Sequence, residues 1–83
     1  MTAQELKMFR AALKHLPFYG ISLKDFAEQI HLRPHTLYNY ICGQRPSYKH
    51  YQYILYVLER DYPAAVAESR EMINQGGKIF NEL

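Results

Sequence analysis

The 83-residue sequence has one cysteine, no tryptophan and no apolar run long enough to cross a bilayer. Because a single thiol cannot form an internal disulfide, Cys42 fits a reducing compartment, and we expect it to be a small packed residue. A membrane span needs roughly 20 apolar residues, and an export signal needs a basic start before an apolar stretch. Neither pattern is found, so the sequence predicts a cytoplasmic protein with no membrane partner.

Residue groups that support catalysis are also missing. No Ser/His/Asp or Cys/His arrangement, no carboxylate pair beside a histidine and no glycine-rich phosphate loop is evident. His31 and His35 are four residues apart, but the turn before Pro34 breaks the helical register between them. No Cys or Asp nearby completes a zinc site. We therefore expect no enzyme activity, catalytic residue, metal, cofactor or small-molecule ligand.

Acidic residues are absent from the middle of the chain. The net charge is +2, but residues 29–58 carry Arg33, Arg45 and Lys49 with no Asp or Glu, whereas residues 59–83 are net acidic. A surface without carboxylates is what binding to phosphates requires. A chance gap in the acids is the plainer alternative.

What is present is a helical pattern throughout. Hydrophobic residues make up 48% of the sequence, which favours one packed all-α domain over disorder. Capping residues Thr2, Ser22 and Ser47, with Pro34 at a first helical position and Pro63 in a first turn, predict where helices begin. We expect helices at 3–16, 23–30, 34–41 and 48–60, and a fifth from Pro63 to Gly76-Gly77. Their apolar residues are, in order, Leu6, Phe9, Leu13 and Leu16; Leu23, Phe26, Ala27 and Ile30; Leu37, Tyr40 and Ile41; Tyr51, Ile54, Leu55 and Leu58; Val66, Ala67, Met72 and Ile73.

The second and third helices have the lengths and spacing of a helix-turn-helix. Each has about eight residues, and about three residues join them. Such helices cross at about 90–120°, so a small residue is needed where they meet, and Ala27 supplies it. Leu32 is expected to insert into the core at the turn. Leu37 and Tyr40 are expected to anchor the later helix through its buried side.

The run Phe26-Ala-Glu-Gln-Ile-His-Leu-Arg-Pro-His-Thr-Leu-Tyr-Asn-Tyr-Ile-Cys-Gly-Gln-Arg-Pro46 resembles the lambda-repressor-like (XRE/Cro-type) helix-turn-helix family. The segment Gly43-Gln-Arg-Pro-Ser47 is the most specific part of the match. The chain departs from the pattern at His31, where the family usually has a glycine in a left-handed turn. It also departs at Leu23, where the family often has a phosphate-contacting glutamine, and at Ile41, where the family's residue is commonly polar. The resemblance implies a compact five-helix fold over about residues 3–73. The positions in register with the family are Ala27, Leu32, Thr36, Leu37, Gly43 and Arg45.

The resemblance also implies that the later helix of the pair enters the major groove of duplex DNA. Asn39 is the sharpest base reader, because a carboxamide can pair with N6 and N7 of adenine. Plainer roles stay open: Thr36 could satisfy local backbone, Tyr38 could cover apolar surface, and Asn39 could simply be solvated. The implied base-reading residues are Pro34, His35, Thr36, Tyr38 and Asn39. The expected phosphate-binding residues are Ser22, Lys24, Arg33, Gln44, Arg45, Tyr48 and Lys49.

One copy of such a domain gives limited specificity. Two base contacts supply roughly 2–6 kcal/mol of discrimination, whereas useful specificity needs roughly 4–10 kcal/mol. We therefore expect a homodimer on an inverted repeat, its half-sites about one helical turn apart. The helix-turn-helix domain is assigned to residues 1–75 and a dimerising tail to 76–83; a tail folded on its own domain or disordered is the alternative. The expected dimer contacts are Ile73, Ile79, Phe80 and Leu83.

The sequence thus predicts a sequence-specific regulator of transcription, acting most simply as a steric repressor of bacterial, phage or plasmid origin. A fold does not fix a function, and a protein-binding adaptor or inhibitor on the same scaffold is the main alternative. Its support is the modest net charge, the acidic last quarter and the abundant tyrosines.

Overall fold

A computed structural model describes the backbone of residues 2–82 and the side chains of residues 2–73. No strand occurs within residues 2–82, so the expected all-α class with five α-helices is confirmed. None of the helices, over the described residues, is long and apolar enough to span a membrane. In chain order the elements are α1 (Ala3–His15), a 3₁₀ helix (Leu16–Tyr19), α2 (Leu23–Gln29), α3 (Pro34–Cys42), α4 (Tyr48–Asp61) and α5 (Pro63–Glu82).

The helix starts follow from the capping residues. The hydroxyls of Thr2, Ser22 and Ser47 accept hydrogen bonds from backbone N–H groups three residues later, at 3.1, 3.1 and 3.2 Å. Each hydroxyl satisfies one of the amides that a helix start leaves without an intrahelical acceptor. Pro34 and Pro63 begin α3 and α5, where a missing N–H costs nothing. All five predicted starts are therefore confirmed.

The helix ends agree less well with the sequence prediction. The ends of the first four helices are within one residue of expectation, and the chain after α1 continues as a 3₁₀ helix before Gly20 at φ 86°. The predicted end of α5 near Gly76-Gly77 is wrong, because the helix continues to Glu82. Glycine in a helix costs about 1 kcal/mol relative to alanine, but it keeps its N–H and does not block the next hydrogen bond.

The core is built around α1. The Phe9 ring is fully buried, with ring centroids 6.3 Å from Tyr40 of α3 and 5.3 Å from Tyr51 of α4. Aromatic pairs at these separations add to the hydrophobic contribution of the buried area. The remaining core residues are Met8, Ala12, Leu13, Leu16, Phe26, Ala27, Ile30, Leu37, Ile54, Val57, Leu58, Ala65 and Val66.

The buried face of α5 differs from the predicted set. Ala67 and Met72 are exposed, whereas Ala65 and Ser69 are buried beside Val66. The Ser69 hydroxyl donates to the Ala65 carbonyl at 2.7 Å, which satisfies its hydrogen-bonding need inside the core. A small polar residue on the inner face of a helix is not distinguished by hydropathy alone, so the sequence pattern missed it.

Candidate nucleic-acid interface

The turn between α2 and α3 is closed by a Schellman motif. The Leu32 N–H donates to the Ala27 carbonyl at 2.9 Å, and the His31 N–H donates to the Glu28 carbonyl at 3.2 Å. His31 has φ 61°, the left-handed conformation that favours glycine. Ala27 is fully buried, and Leu32 packs against the core from the turn, as expected from the sequence. This turn fixes where α3 begins relative to α2.

The far end of α3 is held by α1. Gly43, at φ 126°, ends α3 with a second Schellman motif, in which the Gln44 N–H donates to the Asn39 carbonyl at 2.9 Å. The Arg10 guanidinium donates to the carbonyls of Tyr40 and Gly43 at 3.1 and 2.9 Å. A cation at a helix C-terminus is favoured by the helix dipole, and the Tyr40 carbonyl accepts from Arg10 in addition to the Gly43 N–H, which lies 3.3 Å away. Arg10 therefore positions α3. No sequence pattern indicated this role, because Arg10 resembles Lys7 and Lys14 as a cation of α1.

A hydrogen bond between side chains also joins α3 to α4. The phenol oxygen of Tyr40 lies 2.6 Å from Nδ1 of His50, and the two rings meet edge to face. Burial raises the pKa of Tyr40 above its ordinary value, so the phenol stays protonated at neutral pH. The inner side of α3 is thus fixed by a buried phenol, and its other side is left for solvent.

The outer side of α3 presents His35, Tyr38, Asn39 and Cys42, which we call the α3 face. His35 and Cys42 are exposed, Tyr38 is 53% exposed and Asn39 is half-buried. The expectation that Cys42 is packed is wrong: it follows Tyr38 by four residues and therefore shares its side of the helix. The α3 face is long enough for at least two turns of contact with a partner.

Two of the other predicted base readers lie at the edges of this face. Pro34 and Thr36 are half-buried, and the Thr36 N–H donates to the Arg33 carbonyl at 3.0 Å. At 100° per residue, Thr36 is roughly 160° around the helix from Tyr38. His35, Tyr38 and Asn39 therefore share one face, and Thr36 lies at its edge, next to Asn39 and far from Tyr38.

Cations lie at both ends of α3. Arg33 is the residue before its first turn, and Arg45 and Lys49 follow its last turn; all three are exposed. Gln44 and Lys24 are exposed as well, and the Ser22 hydroxyl is engaged in capping α2. Residues 29–58 thus carry three cations and no carboxylate.

Of the carboxylates outside residues 29–58, Asp25 and Glu28 are exposed on α2, whereas Glu59, Asp61 and Glu68 are each bonded to a neighbour. Glu59 pairs with Arg70 at 3.0 Å, and Asp61 pairs with Arg60 and accepts from Gln29. The hydrogen bond from Arg60 holds the pKa of Asp61 below its usual value. Glu68 accepts from the Tyr19 phenol, and that bond raises the pKa of Tyr19.

A groove between α1, α4 and α5 forms a second distinctive surface. Two adjoining hollows of about 450 and 460 Å³ share Glu5, Tyr51 and Leu55. One also reaches Met8 and Ile73, and the other reaches Glu59, Tyr48 and Tyr56. Tyr48 thus shares a hollow with two carboxylates, and its phenol oxygen accepts from Gln52 at 2.9 Å. Of the predicted phosphate-binding residues, Tyr48 has the least favourable surroundings for an anion.

Of the four predicted dimer contacts, only Ile73 lies among the described side chains. It is half-buried and packs against the core of its own chain. Ile79, Phe80 and Leu83 lie outside the described side chains, as does the boundary placed between residues 75 and 76.

Within the described residues, no three His, Cys, Asp or Glu side chains lie close enough to hold a metal ion. No protein-family model, curated protein or solved structure matches the chain.

Proposed function

We propose that this protein is a sequence-specific regulator of transcription that binds duplex DNA through a lambda-repressor-like helix-turn-helix formed by α2 and α3. The observation that carries the proposal is the α3 face: an exposed helical surface flanked by Arg33, Arg45 and Lys49, in a segment without carboxylates. Supporting it, His31 takes the left-handed conformation at the position where the family has glycine.

In this proposal, α3 enters the major groove with its N-terminal turns. Asn39 pairs with a base, while His35 and Tyr38 contact neighbouring base edges or the backbone. Pro34 and Thr36 contribute from the edges of the α3 face. Phosphate contacts come from the exposed cations and from Gln44, with Ser22 at the start of α2, and these position the domain without choosing a sequence. The protein acts as a homodimer in the cytoplasm, as a repressor that blocks access to its site.

A second candidate, a protein-binding adaptor or inhibitor, is favoured by the tyrosines of α4. Tyr48, Tyr53 and Tyr56 are 63%, 43% and 60% exposed, and tyrosine is enriched where proteins bind each other. This surface differs from the α3 face, so the two candidates make separate predictions about which substitutions matter.

The test is to select, from a random duplex DNA library, the sequences that the purified protein binds at about 100 mM salt. Salt at this concentration weakens non-specific phosphate contacts, so that specific binding can be detected. We expect enrichment of an inverted repeat whose half-sites are about one helical turn apart. A folded protein that enriched no motif would exclude the regulator and favour the adaptor. A variant with Asn39→Ala, carried through the same selection, controls for enrichment that is independent of α3.

A further inference from the structure

Arg10 holds one side of α1 against the carboxyl end of α3. Its guanidinium donates to the carbonyls of Tyr40 and Gly43, where α3 ends. Side chains three and four residues apart share a helix face, so Lys7 and Lys14 lie on the same side of α1 as Arg10. Both lysines are exposed, and roughly 10 Å of helix axis separates them. Two exposed cations of α1 therefore lie beside the end of α3.

This side of α1 carries no carboxylate. Glu5, the one carboxylate of α1, lies roughly 160° around the helix from Lys7 and lines the groove between α1, α4 and α5. Neither lysine forms an ion pair with a described residue. Ala11 lies between them, four residues after Lys7 and three before Lys14, so no long side chain separates the two cations. We call Lys7, Ala11 and Lys14 the α1 strip.

The α1 strip gathers positive charge at a cost in helix stability. Arg10 lies three residues after Lys7 and four before Lys14, and like charges at these spacings destabilise a helix. The helix dipole favours a cation at Lys14, in the last turn of α1, but gives no reason for Lys7 in the middle. Arg45 adds a further exposed cation two residues after Gly43. Cations spread over about 10 Å suit a polyanion better than a small anion, and duplex DNA carries one negative charge per about 1.7 Å of its axis.

We propose that the α1 strip binds phosphates of the duplex that α3 enters, on the strand that passes the carboxyl end of α3. Lys7 and Lys14 make the contacts, whereas Arg10 is engaged by α3 and keeps the two lysines in position beside it. The inference rests on the proposed function and deepens it: the partner is the same duplex, but the contact comes from a helix outside the helix-turn-helix. Phosphate contacts carry no base information, so the α1 strip adds affinity and orientation without adding sequence preference.

The salt dependence of DNA binding tests each lysine. Fluorescence anisotropy measures binding of full-length variants to a selected duplex and to an unrelated duplex of equal length, and circular dichroism verifies that each variant is folded. Lys7→Gln and Lys14→Gln should each lower the slope of log affinity against log salt by about 0.9 per bound copy, the value for one phosphate. The decrease should be the same on both duplexes. Lys7→Arg should keep the slope, because it keeps the charge.

Arg70→Gln is the matched control for the loss of one positive charge. Arg70 lines the groove on the other side of α1 and pairs with Glu59, so its replacement should leave the slope unchanged. If Arg70→Gln and Lys7→Gln lowered the slope equally, net charge and not the α1 strip would set the salt dependence, and the inference would be overturned.

A carboxylate placed within the α1 strip should block it without weakening the fold. At its spacing from Lys7 and Lys14, the carboxylate introduced by Ala11→Glu can pair with both lysines, which supports the helix while it repels DNA. We expect Ala11→Glu to weaken binding to either duplex roughly tenfold or more, with no loss of stability in urea unfolding. Ala67→Glu, at an exposed position of α5, adds the same charge and should change binding by less than about twofold.

The two duplexes separate failure of the α1 strip from failure of the proposed function. If the wild-type protein binds a selected duplex and the lysine and Ala11 variants bind it with the same affinity and slope, only the α1 strip is wrong. If these variants weaken binding to the unrelated duplex although no motif can be selected, the strip stands and sequence-specific regulation fails. A wild-type protein that binds neither duplex overturns both.

Discussion

The α3 face and the groove between α1, α4 and α5 differ in the sign of their charge and in how their polar groups are bonded. Around α3, the cations Arg33, Arg45 and Lys49 stand in a segment that contains no carboxylate. Along the groove, Glu59 is paired with Arg70 and Glu5 accepts from Tyr51. A net charge of +2 conceals this separation. One small chain thus holds an exposed helical face flanked by cations and, on another side, a groove lined by apolar side chains and bonded carboxylates.

Salt should separate the two surfaces by the largest margin. If Lys24 and the three cations around α3 neutralise four phosphates per copy, and so eight per dimer, raising salt fourfold should weaken DNA binding roughly 10⁴-fold, because counterion release scales with the phosphates neutralised. Association of the protomers without DNA should change less than about fivefold, because the expected dimer contacts Ile73, Ile79, Phe80 and Leu83 are apolar. Fluorescence anisotropy on a selected duplex and sedimentation without DNA measure the two responses. Equal salt dependence would mean that both surfaces bind in the same way, and the comparison would fail.

Arg10 links α1 to the α3 face, so its loss should affect that face and spare the groove. Arg10→Met removes a charged donor from the carboxyl end of α3, and we expect the free energy of unfolding to fall by about 2 kcal/mol. Lys14→Met, at an exposed position on the same helix, should change it by less than about 0.5 kcal/mol. Urea unfolding measures both. Similar values for the two variants would show that the bonds from Arg10 do not hold α3.

The sequence predicted the features of this fold that depend on local chemistry. Helix starts were predictable because Thr2, Ser22 and Ser47 cap by hydrogen bonds within their own turn. The end of α5 was not, because glycine permits an end without requiring one. Ser69 and Ala67 exchanged their expected environments for a related reason, since hydropathy does not show which of two small residues faces the core.

In the candidate site, too, the features set by local sequence were predictable and those set by distant residues were not. His35, Tyr38 and Asn39 could be placed together from the helical period of α3, and the structure groups them. Arg10 and His50 hold α3 from other helices, at separations of 30 and 10 residues along the chain, and nothing local distinguishes them. Cys42 was assigned to the interior from its residue type, but its position after Tyr38 places it outside.

Within the α3 face, base reading and phosphate binding should respond differently to substitution. Asn39→Ala should cost about 1–3 kcal/mol at one base pair and relax the preference there, because only that pair loses its hydrogen bonds. Arg45→Ala should weaken binding to all sequences about equally and lower the salt slope by about one phosphate. Repeating the selection and the salt titration with each variant measures this. If both variants lost affinity uniformly, the α3 face would position the protein without reading sequence.

The smallest expected effect concerns the two helix ends that bound the α2–α3 pair. Both close with a Schellman motif, but Gly43 occupies the left-handed position after α3 whereas His31 occupies it after α2. A side chain in that conformation costs about 1–2 kcal/mol. Replacing it by glycine removes this cost, but glycine loses more conformational entropy on folding, which offsets part of the gain.

His31→Gly should therefore raise the free energy of unfolding by about 0.5–1 kcal/mol, while Gly43→Ala should lower it by about 1 kcal/mol. No atom lies within 4 Å of a Cβ built at Gly43, so its cost comes from backbone conformation and not from a clash. Thermal and urea unfolding of the two variants measure these changes and distinguish strain in the turn from damage to the core. Dimer association is the control, because neither variant should alter it. A destabilised His31→Gly would mean that the imidazole makes a contact worth more than the strain it imposes.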